Sequence, residues 1–142
     1  MQIDILKLVV LTIVQFVFGA LWYSLIFGKV WAKIHGFDQL APEEQAKMMK
    51  AVQPYYAIQL VLTVVTTYVI LLFTKYLMIS DSSWMPVGIA GWIWLGFIMP
   101  IQAQGVMWGG DKKEWVWKKI GILALHQLIN MMLVGTILLL WK

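Results

Sequence analysis

Leu8-Val9-Val10-Leu11-Thr12-Ile13-Val14-Gln15-Phe16-Val17-Phe18-Gly19-Ala20-Leu21-Trp22-Tyr23-Ser24-Leu25-Ile26-Phe27 runs for a full membrane thickness without one charged side chain. A helix needs ~20 such residues to cross the hydrocarbon core. The stretch is too long for the apolar part of a cleaved leader, and Phe18-Gly19-Ala20 is followed by more apolar residues rather than a polar mature start. It reads as a membrane-spanning helix. Three further runs follow, at about Tyr55 to Ile79, about Trp84 to Trp108, and about Ile120 to Trp141. None alternates in polarity as a spanning strand does. The expected fold is therefore an all-α membrane protein, an up-and-down bundle of four transmembrane helices forming one domain over residues 1–142.

Composition points the same way. Apolar residues make up 61% of the chain and charged residues 13%, against about half and about a quarter in a soluble domain. A short chain has too little interior to bury that excess, so lipid takes it up. The net charge of +4 comes from lysine with no arginine, and arginine is the residue of bidentate phosphate and guanine contacts, so a nucleic-acid partner is not expected. Without cysteine there is no disulfide framework and no thiolate site.

The connections differ in length. Gly28 to Pro54 separates the first two spans, and within it Pro42-Glu43-Glu44 reads as the first turn of a short amphipathic helix that ends near Pro54. Ser80-Asp81-Ser82-Ser83 is a tight link that makes the second and third spans antiparallel neighbours. Lysine placement gives the orientation. Eight lysines (Lys29, Lys33, Lys47, Lys50, Lys112, Lys113, Lys118, Lys119) lie in the first and third connections, against Lys7, Lys75 and Lys142 at the other end. The first and third connections are expected in the cytoplasm and both termini outside. Trp22, Tyr23, Trp31, Trp108, Trp115 and Trp117 fall near the lysine-rich plane, where amphipathic rings favour the headgroup layer. Trp92 and Trp94 lie deeper and read as packing or lipid-facing residues.

Polar residues inside the spans carry what functional signal there is. Gln59, Thr63, Thr66, Thr67 and Thr74 share one face of the second span, and Gln15, Gly19 and Tyr23 one face of the first. His126 and Asn130 are one turn apart on the fourth, and Gln102 and Gln104 follow Pro100 on the third. Counting inward at ~1.5 Å per residue, most of these groups fall about 5–10 Å below the lysine-rich interface. Pro100 should kink its helix and leave the Gly96 carbonyl without its usual donor.

Such groups either hydrogen-bond across helices as glue or line a wet vestibule for an ion or small polar ligand. The candidate ligand-binding residues are Tyr23, Gln59, Gln102, Gln104, His126 and Asn130. No Asp or Glu lies within a span, which disfavours proton-coupled carriage. The two histidines stand on different elements, no H-x-x-x-H pair is present, and no phosphate-binding glycine loop exists. No metal, cofactor or enzymatic activity is expected. Gly88, Gly91, Gly121 and Ala124 read as small-residue helix-packing positions.

The segment Gly19-Ala20-Leu21-Trp22-Tyr23-Ser24-Leu25-Ile26-Phe27-Gly28-Lys29-Val30-Trp31 resembles the G-x-x-W-Y-S-x-x-F-G-K-x-W signature of the domain of unknown function 1761 family. Asn130 and Gly135-Thr136-Ile137-Leu138 running to Trp141 fit as well. The resemblance implies a small four-helix protein of the bacterial inner membrane and no particular activity. Two functions follow as expectations. One is a homo-oligomeric carrier or pore for a small polar ligand or ion. The other is a non-catalytic subunit of a larger membrane assembly.

Overall fold

The computed structural model describes residues 4–77 and 85–141. Helix α1 (Ile5–Leu21) opens under Asp4, whose carboxylate accepts from the Lys7 backbone N–H at 3.1 Å and so satisfies an otherwise orphaned donor. It continues into a π-helical turn, Trp22–Ile26. Helix α2 (Gly28–Ile34) is short and stops at Gly36, whose left-handed φ of 67° lets its N–H fold back onto the Lys33 carbonyl. A 3-10 turn, Phe37–Gln39, leads to helix α3 (Pro42–Leu77). The third span is built from α4 (Met85–Ile93), a π-helical turn Trp94–Ile98, and α5 (Met99–Trp108). The fourth is α6 (Lys113–Leu140).

Four of the resulting helical stretches are long and apolar enough to cross a membrane: Ile5–Ile26, Pro42–Tyr76, Met85–Trp108 and Lys113–Leu140. No strand occurs among the described residues. The helices are inside-out relative to those of a soluble protein. On α3, Val61, Val65 and Phe73 are exposed while Thr63, Thr67 and Thr74 are buried. On α1, Val9, Ile13, Val17 and Leu21 form an exposed stripe spaced by four, with Thr12 and Gln15 turned inward. That inversion is expected where the surrounding solvent is lipid, since only polar groups gain by facing one another.

At three places the structure departs from the local expectations or adds to them. The Pro42 to Pro54 segment is helical, but it is the first third of α3, and the helix runs through Pro54 without a stop. Proline's fixed φ suits a helix; its cost is one lost backbone bond to the Lys50 carbonyl, and residues 53–56 are exposed, where that carbonyl can be hydrated. With 36 residues, α3 is ~54 Å long, well beyond the ~30 Å hydrocarbon core, so its polar first third projects from the bundle. The first-connection helix that stands separate is α2. Second, the strain of Pro100 is taken up by the π-helical turn that precedes α5, where the Met99 N–H reaches back to the Trp94 carbonyl. Third, α6 begins at Lys113, about two turns ahead of the apolar run. The Ser80–Ser83 link lies outside the described residues.

The bundle closes as a ring: α1 packs on α3 and α6, α6 on α4 and α5, and α3 on α4. The Lys7 ammonium donates to the Trp141 carbonyl at 3.0 Å, so the start of the first span and the end of the fourth lie at the same end. The apolar core sits in that half, formed by Leu11, Ile70, Leu71, Ala90, Met131 and Val134. Trp92 faces outward, and the Trp94 indole N–H donates to the Ala124 carbonyl at 2.9 Å.

Among the glycines, Gly135 sets how closely α6 approaches α4. A Cβ there would stand 2.8 Å from Val87 Cα and 3.0 Å from the Pro86 carbonyl oxygen. At Gly88 and Gly121, read from the sequence as packing positions, a Cβ would meet nothing within 4 Å. Gly135→Ala is therefore expected to lower stability by about 1–3 kcal/mol through overpacking. Gly121→Ala should match or slightly exceed the parent. Thermal unfolding of both variants in detergent checks the pair.

Candidate functional site: a polar cleft around His126 and Asn130

Gln15 is buried halfway along the first span and ties three helices together. Its side-chain N–H groups donate to Thr67 Oγ1 at 2.6 Å and to the Leu11 carbonyl at 3.2 Å. Its Oε1 accepts from Asn130 Nδ2 at 3.3 Å. The Thr67 hydroxyl donates to the Thr63 carbonyl at 2.7 Å, and the Thr63 hydroxyl to the Gln59 carbonyl at 2.8 Å. Thr12 adds a longer contact to Thr67 Oγ1 at 3.4 Å. The chain of bonds crosses from α6 through α1 to α3.

The orientation of each amide follows from this chain. The Leu11 carbonyl and the Thr67 oxygen, whose own proton is committed to Thr63, both need donors, so Gln15 must turn Nε2 toward them. Its Oε1 then faces Asn130, which must answer with Nδ2. Asn130 Oδ1 is left pointing elsewhere, and it has no hydrogen-bond partner among the described residues.

Asn130 lines a cleft of about 610 Å³, together with residues of α1, the π-helical turn that follows it, α3, α6 and Gln102 of α5. That size lies within the ~300–1,000 Å³ usual for small-molecule sites. Gln15, Thr63, His126 and Asn130 form the buried floor. Ala20, Ser24, Tyr56, Gln59, Leu62 and Thr66 are its exposed members and mark the mouth. Phe16, Ala20 and Leu123 supply apolar wall. The lining carries no Asp, Glu, Lys or Arg, and no cluster that could hold a metal occurs among the described residues.

His126 is 7% exposed, and neither ring nitrogen has a hydrogen-bond partner among the described residues. Aromatic rings surround it. Phe18 stacks on the imidazole with an interplanar angle of 3° at 5.4 Å, and Tyr23 and Trp22 lie tilted at 4.9 and 5.8 Å. These three rings come from the stretch around the π-helical turn Trp22–Ile26. Its wider turn holds two consecutive aromatics, Trp22 and Tyr23, against the same imidazole. π-Bulges of this kind recur at functional sites. Gly19 packs beside the ring: a Cβ there would meet His126 Nε2 at 3.4 Å, in van der Waals contact. The Ser24 hydroxyl turns back to the Ala20 carbonyl at 2.6 Å, satisfying itself within the helix. Tyr23 also packs on Trp31 of α2 at 4.8 Å. The Gly19–Trp31 motif thus folds into one wall about a histidine more than a hundred positions along the chain.

Five of the six candidate residues, Tyr23, Gln59, Gln102, His126 and Asn130, line this one cleft. Gln104 does not: it is exposed and outside the lining, because two positions along α5 turn it away from Gln102. Gln102 Oε1 is a further buried acceptor with no partner among the described residues. The residues missing from the candidate set were Gln15, Thr63, Phe18 and Trp22. Gln15 was signalled by its i, i+4 and i+8 spacing with Gly19 and Tyr23; no sequence signal announced the aromatic enclosure.

A double-mutant cycle with Gln15→Leu and Asn130→Leu should show coupling of about 0.5–1.5 kcal/mol, the range of interhelical hydrogen bonds in membranes. Additive effects on unfolding would break the proposed link between α1 and α6.

Comparison with curated proteins and with solved structures returned no match. A family model described as "Protein of unknown function (DUF1761)" covers residues 6–139. Its extent takes in all four spans and both walls of the cleft, and the chain belongs to the DUF1761 family.

Proposed function

We propose that the protein is a non-catalytic, membrane-embedded binding protein that takes a small polar ligand into the His126 cleft and acts as a homo-oligomeric carrier. The observation that carries this reading is a set of buried polar atoms on residues that line the cleft, both nitrogens of His126 and Asn130 Oδ1, that have no hydrogen-bond partner among the described residues. A buried donor or acceptor left unmade costs about 1–3 kcal/mol, and a bound molecule that supplies the missing partners recovers it. Structural glue accounts for Gln15, Thr63 and Thr67, which are satisfied; it does not account for His126. The apolar core around Leu11, Ile70 and Met131 fills the opposite half of the bundle, which favours a one-sided site over a continuous pore through a single chain.

Native mass spectrometry of the protein in mild detergent tests this. A homo-oligomer with a reproducible added mass is expected, lost in His126→Leu and in Gln59→Leu, the latter at an exposed position whose replacement leaves the core intact. Added mass that persists in both variants would overturn the reading.

A second reading, an accessory subunit of a larger membrane complex, is favoured by the exposed polar third of α3 and by Trp117, which is 75% exposed. It expects a partner at fixed ratio, released on deleting Lys112 to Glu114.

The placement we propose is the bacterial inner membrane, as the family resemblance implies, and the lysine distribution supports the first and third connections facing the cytoplasm. A single cysteine replacing Lys112, in a chain that has no other, should react with an impermeant maleimide only after the cells are opened. Labelling of intact cells would reverse the orientation.

A further inference from the structure

One side of α3 carries a pattern that packing within the chain does not explain. Met48, Val52, Tyr55, Gln59, Leu62 and Thr66 follow one another at alternate intervals of four and three, and Val69 and Phe73 continue the series. Val52 is half-buried and the rest are exposed. The residues that α3 does bury, among them Thr63, Thr67 and Thr74, lie about a quarter-turn away, toward α1 and the core. An ideal helix drifts ~20° per seven residues, so a mean interval of 3.5 holds one line only where the helix coils about another.

The stripe crosses two surroundings and makes opposite demands in each. Inside the bilayer an exposed Leu62 or Val69 needs no cover, but Gln59 does. Its carboxamide is exposed about one turn inside Tyr55, and its one side-chain hydrogen bond among the described residues is a 3.5 Å contact to Thr63 Oγ1 on the same helix. Met48 and Val52 stand on the first third of α3, which projects from the bundle, with Glu43 and Lys50 on the opposite side. There the surroundings are water, and an apolar stripe needs cover. The partner must therefore be apolar beyond the hydrocarbon and carry an amide within it, along one line. α3 of a second copy meets both demands. A two-fold axis along the membrane normal sets each stripe residue against its own copy at the same depth. Two Gln59 carboxamides so placed pair reciprocally, each donating N–H to the other's carbonyl oxygen, and polar pairs of this kind hold membrane helices together.

The stripe is also the edge of the site, since Gln59, Leu62 and Thr66 belong to the mouth of the cleft. From this juxtaposition we infer that two copies pair in parallel along α3 and close each other's clefts to lipid, with Gln59 of the partner subunit completing the mouth. Ser24 and Tyr56, at the lysine-rich end, remain as the way in. This pairing rests on the homo-oligomeric reading proposed above and specifies its interface.

The chain has no cysteine, so single replacements in the full-length protein report the interface in membranes of the expressing cells. Leu62→Cys and Val69→Cys lie on the stripe. Val61→Cys and Tyr68→Cys, also at exposed positions, stand one residue back, at nearly the same depth and ~100° round the helix. Under oxidation by copper phenanthroline, the two stripe positions are expected to give disulfide-linked dimer at about tenfold or more the yield of the other two. Gln59→Leu should shift the monomer–dimer equilibrium in detergent about tenfold toward monomer, through loss of the reciprocal amide pair; an unchanged equilibrium would overturn that pair. Equal linking at all four positions would mean random collision and overturn the α3 interface. No linking on the stripe, while native mass spectrometry still finds a homo-oligomer, would overturn this interface and leave the homo-oligomeric reading standing. A fixed-ratio complex with a different protein, and no link between copies, would assign the stripe to that protein and overturn the pairing. A monomer that still carries a His126-dependent added mass would end the pairing and the homo-oligomer while the binding role survives. If that mass is missing too, all three fall.

Discussion

The amide of Gln15 is donor and acceptor at once, and three of the four spans are tied to it. In lipid, helices gain little by burying apolar surface against one another, because acyl chains are as apolar as leucine. What selects one arrangement is close fit and the satisfaction of the few polar groups that cannot face hydrocarbon. Gln15 meets Thr67 on one side and Asn130 on the other, and this sets the rotation of α1 against both α3 and α6. Close fit does the rest just over one turn further along α6, where Gly135 lies against the backbone of Pro86 and Val87. Together the two contacts fix the rotation and height of the fourth span, on which the site is built.

The bundle is consequently asymmetric along its axis. Toward the termini it is filled by Leu11, Ile70, Leu71, Met131 and Val134. Toward the first and third connections α3 and α5 are not packed together, and a polar cleft occupies the space within the ring. The two π-helical turns, Trp22–Ile26 and Trp94–Ile98, belong to the first and third spans. In the first span the turn brings Trp22 and Tyr23 onto His126 together. In the third it accommodates Pro100 and leads into α5, from which Gln102 reaches the cleft.

Among the residues of the cleft, the unsatisfied buried polar atoms are on His126, Asn130 and Gln102, while Trp22 Nε1 and Thr74 Oγ1 lack partners among the described residues outside its lining. Gln15, Thr63 and Thr67 spend their hydrogen bonds on one another and on helix carbonyls. His126 spends its contacts on aromatic faces, which hold the ring in place and leave both nitrogens unengaged. An imidazole kept only for helix association would be expected to use its N–H across the interface, as Trp94 does with the Ala124 carbonyl. Fixing a polar group without satisfying it is how a binding site is pre-organised.

Residue order by itself determined the four spans, the shared end of the two termini and the polar faces of the first, second and fourth helices. These are local properties: hydropathy summed over one helix length, and side chains spaced by three or four. It also carried the signature that places the chain in its family, and five of the residues that line the cleft. Only the tertiary structure decided that α3 runs through Pro54, that Gly135 rather than Gly88 or Gly121 sets a helix contact, and that Gln104 turns away while Gln102 turns in. It alone decided that Phe18, Trp22 and Tyr23 enclose His126. Each of these depends on where a helix bends and which face it offers a neighbour far along the chain. Hydropathy sees none of that, because in lipid almost every face of a spanning helix is apolar and the choice among them is made by the partner.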